Sequence, residues 1–310
     1  MANFTDNENQ KAYEKLFCSE KLTGTTHNQL ICLIVVNIFL SITAFLGNTL
    51  ILIALHKESF LHPPSKLLFR CLATTDLCVG IIAEPLVVTY WMSVVTQRWN
   101  ICRYAQASIF VAGHVLCSVS LLTLTAISVD RLLALLLGLR YRQLVTLKRT
   151  YASITVLWIV SIVGSAMYFR NYLTTLEFGY IGALLLIVIS IFCYAKIFLT
   201  LRRHQNRVHD QVQQEEQNRK IPLNISRYRK AVSSALWLQL TLAVCYLPYG
   251  IVATLMTQRG LSPPLYLARQ AALTLILLNS SLNPILYCWK MRDVRKQVKD
   301  TVRKFFCSSN

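Results

Sequence analysis

The chain has 310 residues, of which 54% are hydrophobic and only 15% charged. A soluble domain carries about 25% charged residues, so this composition excludes an ordinary soluble enzyme and points to a polytopic membrane protein. The net charge of +18 raises nucleic-acid binding, but Lys and Arg gather in alternate connectors between apolar runs. That is the pattern of membrane topology, and nucleic acid is set aside as a partner.

Residues 1–29 are polar and hold no apolar signal core, so the first span must serve as the signal. Seven apolar runs follow, each of bilayer length: Leu30–Leu55, Leu67–Met92, Tyr104–Leu137, Tyr151–Phe169, Phe178–Leu201, Ala231–Met256 and Leu265–Trp289. The connectors His56–Lys66 (with Pro63-Pro64), Val95–Arg103, Arg170–Glu177 and Thr257–Pro264 are short. Arg202–Lys230 is the longest, rich in Arg, Gln and Lys. The basic connectors follow the odd-numbered spans, which puts the N-terminus outside and the tail inside. Asn3-Phe4-Thr5 is then an extracellular glycosylation acceptor, whereas Asn224-Ile225-Ser226 falls inside and stays unmodified.

After the last span, basic residues alternate with Met291, Val294, Val298, Val302 and Phe305. This suits a helix lying on the anionic inner leaflet, in contact with membrane lipids. Cys307 follows it, placed for palmitoylation or left unmodified. The predicted fold is an all-α membrane protein: a seven-transmembrane helix bundle with a short amphipathic inner-surface helix. Residues 1–29 form an extracellular segment, 30–289 the transmembrane domain and 290–310 a cytoplasmic helix and tail.

Polar residues inside these spans carry the functional signal, because lipid rejects them. Asn48, Asp76, Ser120, Asn279, Ser280 and Asn283 lie at similar distances from the inner ends of spans one, two, three and seven. Two readings fit this layer. One is a set of interhelical hydrogen bonds. The other is a hydrated cation site suited to sodium, since a carboxylate with several neutral oxygens matches a hard cation; no other cofactor is expected. Asp130 and Arg131 end the third span. Pro248, within Cys245-Tyr246-Leu247-Pro248-Tyr249, and Pro284, within Asn283-Pro284-Ile285-Leu286-Tyr287, predict hinges in spans six and seven.

From Leu30 to Cys307 the chain resembles the rhodopsin-like (class A) G-protein-coupled receptors. The resemblance rests on Gly47-Asn48, Leu72-Ala73-Thr74-Thr75-Asp76, Asp130-Arg131, Trp158, Tyr194, the span-six hinge, the Asn-Pro-Ile-Leu-Tyr run and the amphipathic tail. The chain departs from the family's usual pattern in four places. Leu132 stands where an aromatic is usual, and Tyr246 where Trp is usual. Span five has no proline, and the connector Arg170–Glu177 has no cysteine. The short second outer loop is similar to melanocortin, lysophospholipid and cannabinoid receptors. The stretch Leu139-Arg140-Tyr141-Arg142 through Val145-Thr146 is similar to adenosine receptors.

The resemblance implies a plasma-membrane receptor that binds an extracellular ligand and activates a heterotrimeric G protein as helix six moves. It implies an activation switch of Asp130, Arg131, Tyr194, Tyr246, Pro248, Asn283, Pro284 and Tyr287, with Arg131 and Leu139 contacting the G protein. For Leu139 an interfacial lipid contact is the alternative. The inner end of span six reads Arg227-Tyr228-Arg229-Lys230 and offers no acid to Arg131. Raised basal signalling relative to a Tyr228→Glu variant is expected. Gly113 stands where amine receptors carry Asp, and span seven has no Lys for a retinal. Both ligand types are therefore disfavoured.

Candidate pocket residues are Glu84, His114, Cys117, Tyr246, Tyr249 and Gln270. Glu84 reads equally as a helix-bridging carboxylate, His114 as an interhelical donor and the tyrosines as packing. Cys102 near the outer top of span three and Cys18 are outward-facing, as a disulfide over the pocket or as two free thiols. An enzyme is not expected, because no convergent nucleophile, base and acid emerge. The competing reading is an ion-conducting or transport protein using Asp76 and Glu84.

Overall fold

The computed structural model describes residues 17–20, 26–57, 62–170, 172–212, 222–290 and 292–307. Its helices are α1 (His27–Lys57), α2 (Pro63–Val95), α3 (Trp99–Leu137), α4 (Leu147–Ala166), α5 (Tyr172–Val212), α6 (Pro222–Arg259), α7 (Pro263–Lys290) and α8 (Arg292–Cys307). Seven contain stretches long and apolar enough to cross a membrane, and the described residues include no strand. In lipid every backbone polar group must be satisfied within the segment, and helices do that.

Polarity is inverted relative to a soluble protein. Asn37, Asn48, Asp76, Glu84, Ser128 and Asn283 are fully buried, while Phe39, Val163, Val188, Phe198 and Ile251 are exposed on the outer faces. Lipid would solvate that apolar surface, and the interhelical space receives the polar groups.

Two close approaches set the packing of α1. A Cβ at Gly47 would lie 2.9 Å from Pro284 Cγ, so α1 meets the proline ring of α7 directly. A Cβ at Gly80 would lie 3.1 Å from Ser41 O, Ala44 Cβ and Phe45 N, and the Ser41 hydroxyl donates to the Gly80 carbonyl at 2.7 Å. Gly80 lies in a π-helical turn, Val79–Ala83, inside α2. Pro85 explains it: a proline ring clashes with the carbonyl four residues back, and a widened turn gives it room.

The apolar runs place all seven spans, but the helix boundaries differ from the sequence expectation. Pro63-Pro64 begins α2 instead of lying in a loop, because the missing N–H costs nothing in a first helical turn. The connector expected at Arg170–Glu177 shrinks, since α5 begins at Tyr172. The long connector Arg202–Lys230 is largely helical, with α5 running to Val212 and α6 starting at Pro222. Its Arg, Gln and Lys residues favour helix but carry no bilayer signal. α8 packs Val294 into the bundle and receives a hydrogen bond from Lys57 to Thr301 (3.2 Å). Residue 291 and the side chain of Phe305 lie outside the described residues.

Candidate functional site

Within the bundle, α7 bonds Asp76 of α2, and α1 bonds the same segment of α7. The Asp76 carboxylate accepts from the Ser280 hydroxyl at 2.9 Å and from Asn283 Nδ2 at 2.7 Å. Asn48 Nδ2 donates to the Ser280 carbonyl at 3.0 Å. The proline at 284 and the polar run before it turn these groups of α7 toward α1 and α2. Ser120 of α3 and Asn279 of α7 are also buried. Five oxygens on α1, α3 and α7 are buried without a hydrogen-bond partner: Asn48 Oδ1, Ser120 Oγ, Asn279 Oδ1, Asn283 Oδ1 and the Tyr287 hydroxyl. Orphaned oxygens of this kind usually meet water or an ion. Together with a carboxylate they fit a hard cation.

Toward the opposite end of α3 from Trp99, Arg131 Nη2 lies 2.5 Å from Asp130 Oδ2 and its Nε lies 3.1 Å away. Asp130 also accepts from the Ser65 hydroxyl of α2 at 2.8 Å and from the Tyr141 hydroxyl. Tyr141 belongs to a single helical turn, Tyr141–Leu144, that follows α3. The chain reaches it through Gly138, whose φ of 52° favours a residue without a side chain. Leu139, in that bend, is 94% exposed. The His62 ring meets Tyr141 at a tilt, 5.2 Å between ring centroids, and burial lowers its pKa below the usual histidine value. On the neighbouring face Ser128 donates to the Tyr194 hydroxyl at 3.0 Å. Tyr287 packs edge-on against Phe69 at 5.7 Å. The side chain of Tyr228 lies outside the described residues.

At the Trp99 end of the bundle a cavity of about 160 Å³ opens among α2, α3, α5, α6 and α7. His114, Cys117, Tyr246, Tyr249 and Gln270 line it. Cys117 of α3 and Tyr246 of α6 both line it, the latter two residues before Pro248. Cys18 and Cys102 are bonded as a disulfide with a Cα–Cα distance of 5.9 Å. The bridge brings Phe17 to 6.0 Å from the Tyr266 ring and 5.0 Å from the Arg269 guanidinium.

Glu84 is a correction: it does not line the cavity. Val79, Ala83, Val87 and Tyr90 do, and Glu84 stands about 100° around the helix from Ala83. It is fully buried, and neither carboxyl oxygen has a hydrogen-bond partner. The missed residues are instructive. Arg269, Tyr90, Tyr168 and Tyr180 all line the cavity, and Ser65 and Tyr141 hold Asp130. A basic residue in the first third of the last span was the available signal for Arg269. Asn3 lies outside the described residues, as does the side chain of Cys307.

Residues 47–177 and 167–287 match the sequence model of the family described as 7 transmembrane receptor (rhodopsin family). The chain is 25% identical to adenosine receptor A3 of Ovis aries over 291 residues, covering 85% of this chain and 87% of that one. It is 26% identical to adenosine receptor A2a of Homo sapiens over 311 residues, covering 87% of this chain and 72% of that one.

Proposed function

The chain belongs to the rhodopsin family of seven-transmembrane receptors, and from that premise we propose how its residues carry a signal. It is a multi-pass membrane receptor that binds an extracellular ligand and signals through G proteins. In our reading it sits in the plasma membrane with the disulfide end outside. Asn3 is glycosylated there, and Cys307 is acylated on the cytoplasmic side.

The ligand occupies the cavity beneath the Cys18–Cys102 bridge. The observation that carries this reading is that Cys117 of α3 and Tyr246 of α6, two residues before Pro248, line the same cavity. Tyr246 connects the cavity wall to the proline hinge of α6. A ligand that binds better when Tyr246 moves away from α3 shifts the population toward an arrangement with the inner half of α6 swung outward. Pro248 has no N–H, so the hinge lacks one restoring bond. Arg131 then leaves Asp130 to meet the Gα C-terminal helix or Tyr194, and the exposed Leu139 docks into Gα. Asn283, Pro284 and Tyr287 supply a second adjustable turn.

Asp76, Asn48, Ser120, Asn279, Ser280 and Asn283 would hold a sodium ion in the resting arrangement. The ion supplies positive charge that satisfies the orphaned oxygens. The residues themselves set its depth and tie α1, α2 and α7 together. Membrane lipids cover the apolar outer faces and receive α8.

The test is nucleotide exchange on a purified Gα subunit with the receptor in lipid nanodiscs. Tyr246→Phe keeps the ring and deletes the hydroxyl. Basal exchange should rise relative to the unsubstituted receptor. Unchanged exchange, with the variant folded, would remove the Tyr246 hydroxyl from the pathway.

A further inference from the structure

At the disulfide end, Phe17 and Cys18 stand behind the residues that line the cavity. Phe17 is fully buried although it precedes α1. Cys18, the next residue, is bonded to Cys102 of α3. Cys18 Sγ also lies 3.6 Å from Oε1 of Gln106, one turn further along α3 and part of the cavity lining. A side chain next to a covalent bridge meets its contacts at high effective concentration.

Arg269 of α7 is held between two aromatic rings. Its guanidinium lies 5.0 Å from the Phe17 centroid and 5.4 Å from the Tyr249 centroid. It also donates to the Tyr249 hydroxyl at 3.0 Å. A guanidinium stacks on ring faces, and it does so whatever other groups share its charge. An unclamped arginine has wide rotamer freedom, which a ring on each face removes. Tyr249 follows the hinge proline Pro248, and its ring lies 6.2 Å from that of Tyr180 on α5. On its other side Phe17 lies 6.0 Å from Tyr266, whose hydroxyl is 3.0 Å from that of Tyr90 on α2. One ring, tied covalently to α3, thus joins a set of contacts that spans α2, α5, α6 and α7.

We propose that Phe17 is a positioning residue that works as a latch. By clamping Arg269 against Tyr249 it holds the disulfide ends of α6 and α7 together and narrows the way into the cavity. Opening the cavity requires the guanidinium to leave the Phe17 ring, which frees α6 beside Pro248. What this means for a ligand rests on the cavity being the ligand site; the latch itself does not.

Cys117 lines the cavity as a free thiol and reports access to it without a ligand. The full chain in nanodiscs, with its disulfide intact, is treated with a trimethylammonium methanethiosulfonate. Peptide mapping then follows modification of each cysteine over time. Phe17→Leu keeps an apolar side chain and removes the ring face. It should speed modification of Cys117 by about fivefold or more, while the buried Cys193 keeps its original rate. Phe17→Tyr keeps the ring face and should stay within about twofold of the unsubstituted protein. Equal Cys117 rates in Phe17→Leu and the unsubstituted protein overturn the latch. So does a Phe17→Tyr rate as fast as that of Phe17→Leu, which would reduce the ring to packing, and so does equal acceleration at Cys193, which would mean general loosening. If Phe17→Leu does not fold, Arg269→Met removes the clamped cation instead; the same acceleration is expected, and an unchanged rate overturns the proposal. A faster Cys117 in Phe17→Leu, with nucleotide exchange unchanged in Tyr246→Phe, keeps the latch and withdraws the proposed signalling route. The reverse pattern withdraws the latch alone.

Discussion

Gly47 of α1 lies against the ring of Pro284 in α7, at 2.9 Å from Cγ for a Cβ built on its backbone. The contact sits next to Asn48, which bonds the Ser280 carbonyl one turn earlier on α7. No methyl group fits there without moving the proline. Gly47→Val should destabilise the receptor by about 1–3 kcal/mol, with Gly47→Ala falling between. Thermal unfolding in detergent measures it. Equal melting temperatures for all three would show that the kinked segment of α7 yields freely.

The orphaned oxygens and the Asp76 carboxylate predict a specific salt response. At matched ionic strength, sodium chloride should raise the melting temperature of the unsubstituted receptor more than choline chloride does. Asp76→Asn should respond alike to both salts, because it removes the charge that recruits the ion. A sodium response that survives in Asp76→Asn would move the ion elsewhere.

The Cys18–Cys102 bridge closes a loop spanning 84 positions of sequence. Cys18→Ser should lower stability by about 2–4 kcal/mol. Membrane insertion already restricts the unfolded chain, so the lower end is expected. A mild reductant should lower the melting temperature of the unsubstituted protein and leave Cys18→Ser unchanged. The same variant should weaken ligand binding, since Phe17 then loses its position against Arg269. Stability and binding both unaltered by Cys18→Ser would make the bridge incidental.

Glu84 gives the opposite sign. Both of its carboxyl oxygens are buried without a partner. Asn37, on the α1 turn above Ser41, is likewise fully buried with an unpartnered Oδ1. Replacing an unsatisfied buried acid by an apolar group of similar volume is commonly stabilising, here by about 1–3 kcal/mol. Glu84→Met should therefore raise the melting temperature. A fall would mean that the carboxyl has a structural partner such as a bound cation or ordered water.

Much of this molecule is legible in its sequence because a bilayer imposes a strong rule. Runs such as Leu30–Leu55 have to be helices, and residues such as Asp76 and Asn283 have to turn inward. Depth counting from the span ends puts Asp76, Ser280 and Asn283 in one layer, and the structure joins these three by hydrogen bonds. Depth counting could not anticipate rotation. Glu84 was expected in the cavity because it lies at the right depth, but its face of α2 is that of Trp91, seven residues on. Arg269 is not legible as a cavity residue, because one basic residue near a helix end looks like an interfacial anchor. Only packing shows it turned against Tyr249 and Phe17. The extensions of α5 and α6 carry ordinary helix formers in polar surroundings, and no hydropathy signal marks them.

The π turn at Val79–Ala83 has a consequence for comparing this chain with its relatives. It uses one residue more than an α-helical turn covering the same length, and each residue turns the helix by about 100°. In a relative whose second helix stays regular through this depth, position-by-position alignment would go out of step beyond Ala83. Tyr90, which faces the cavity, would be read in the place of Trp91, which bonds Gln270. Contacts carried over from such a relative apply to this chain only if a one-residue gap is placed inside Val79–Ala83.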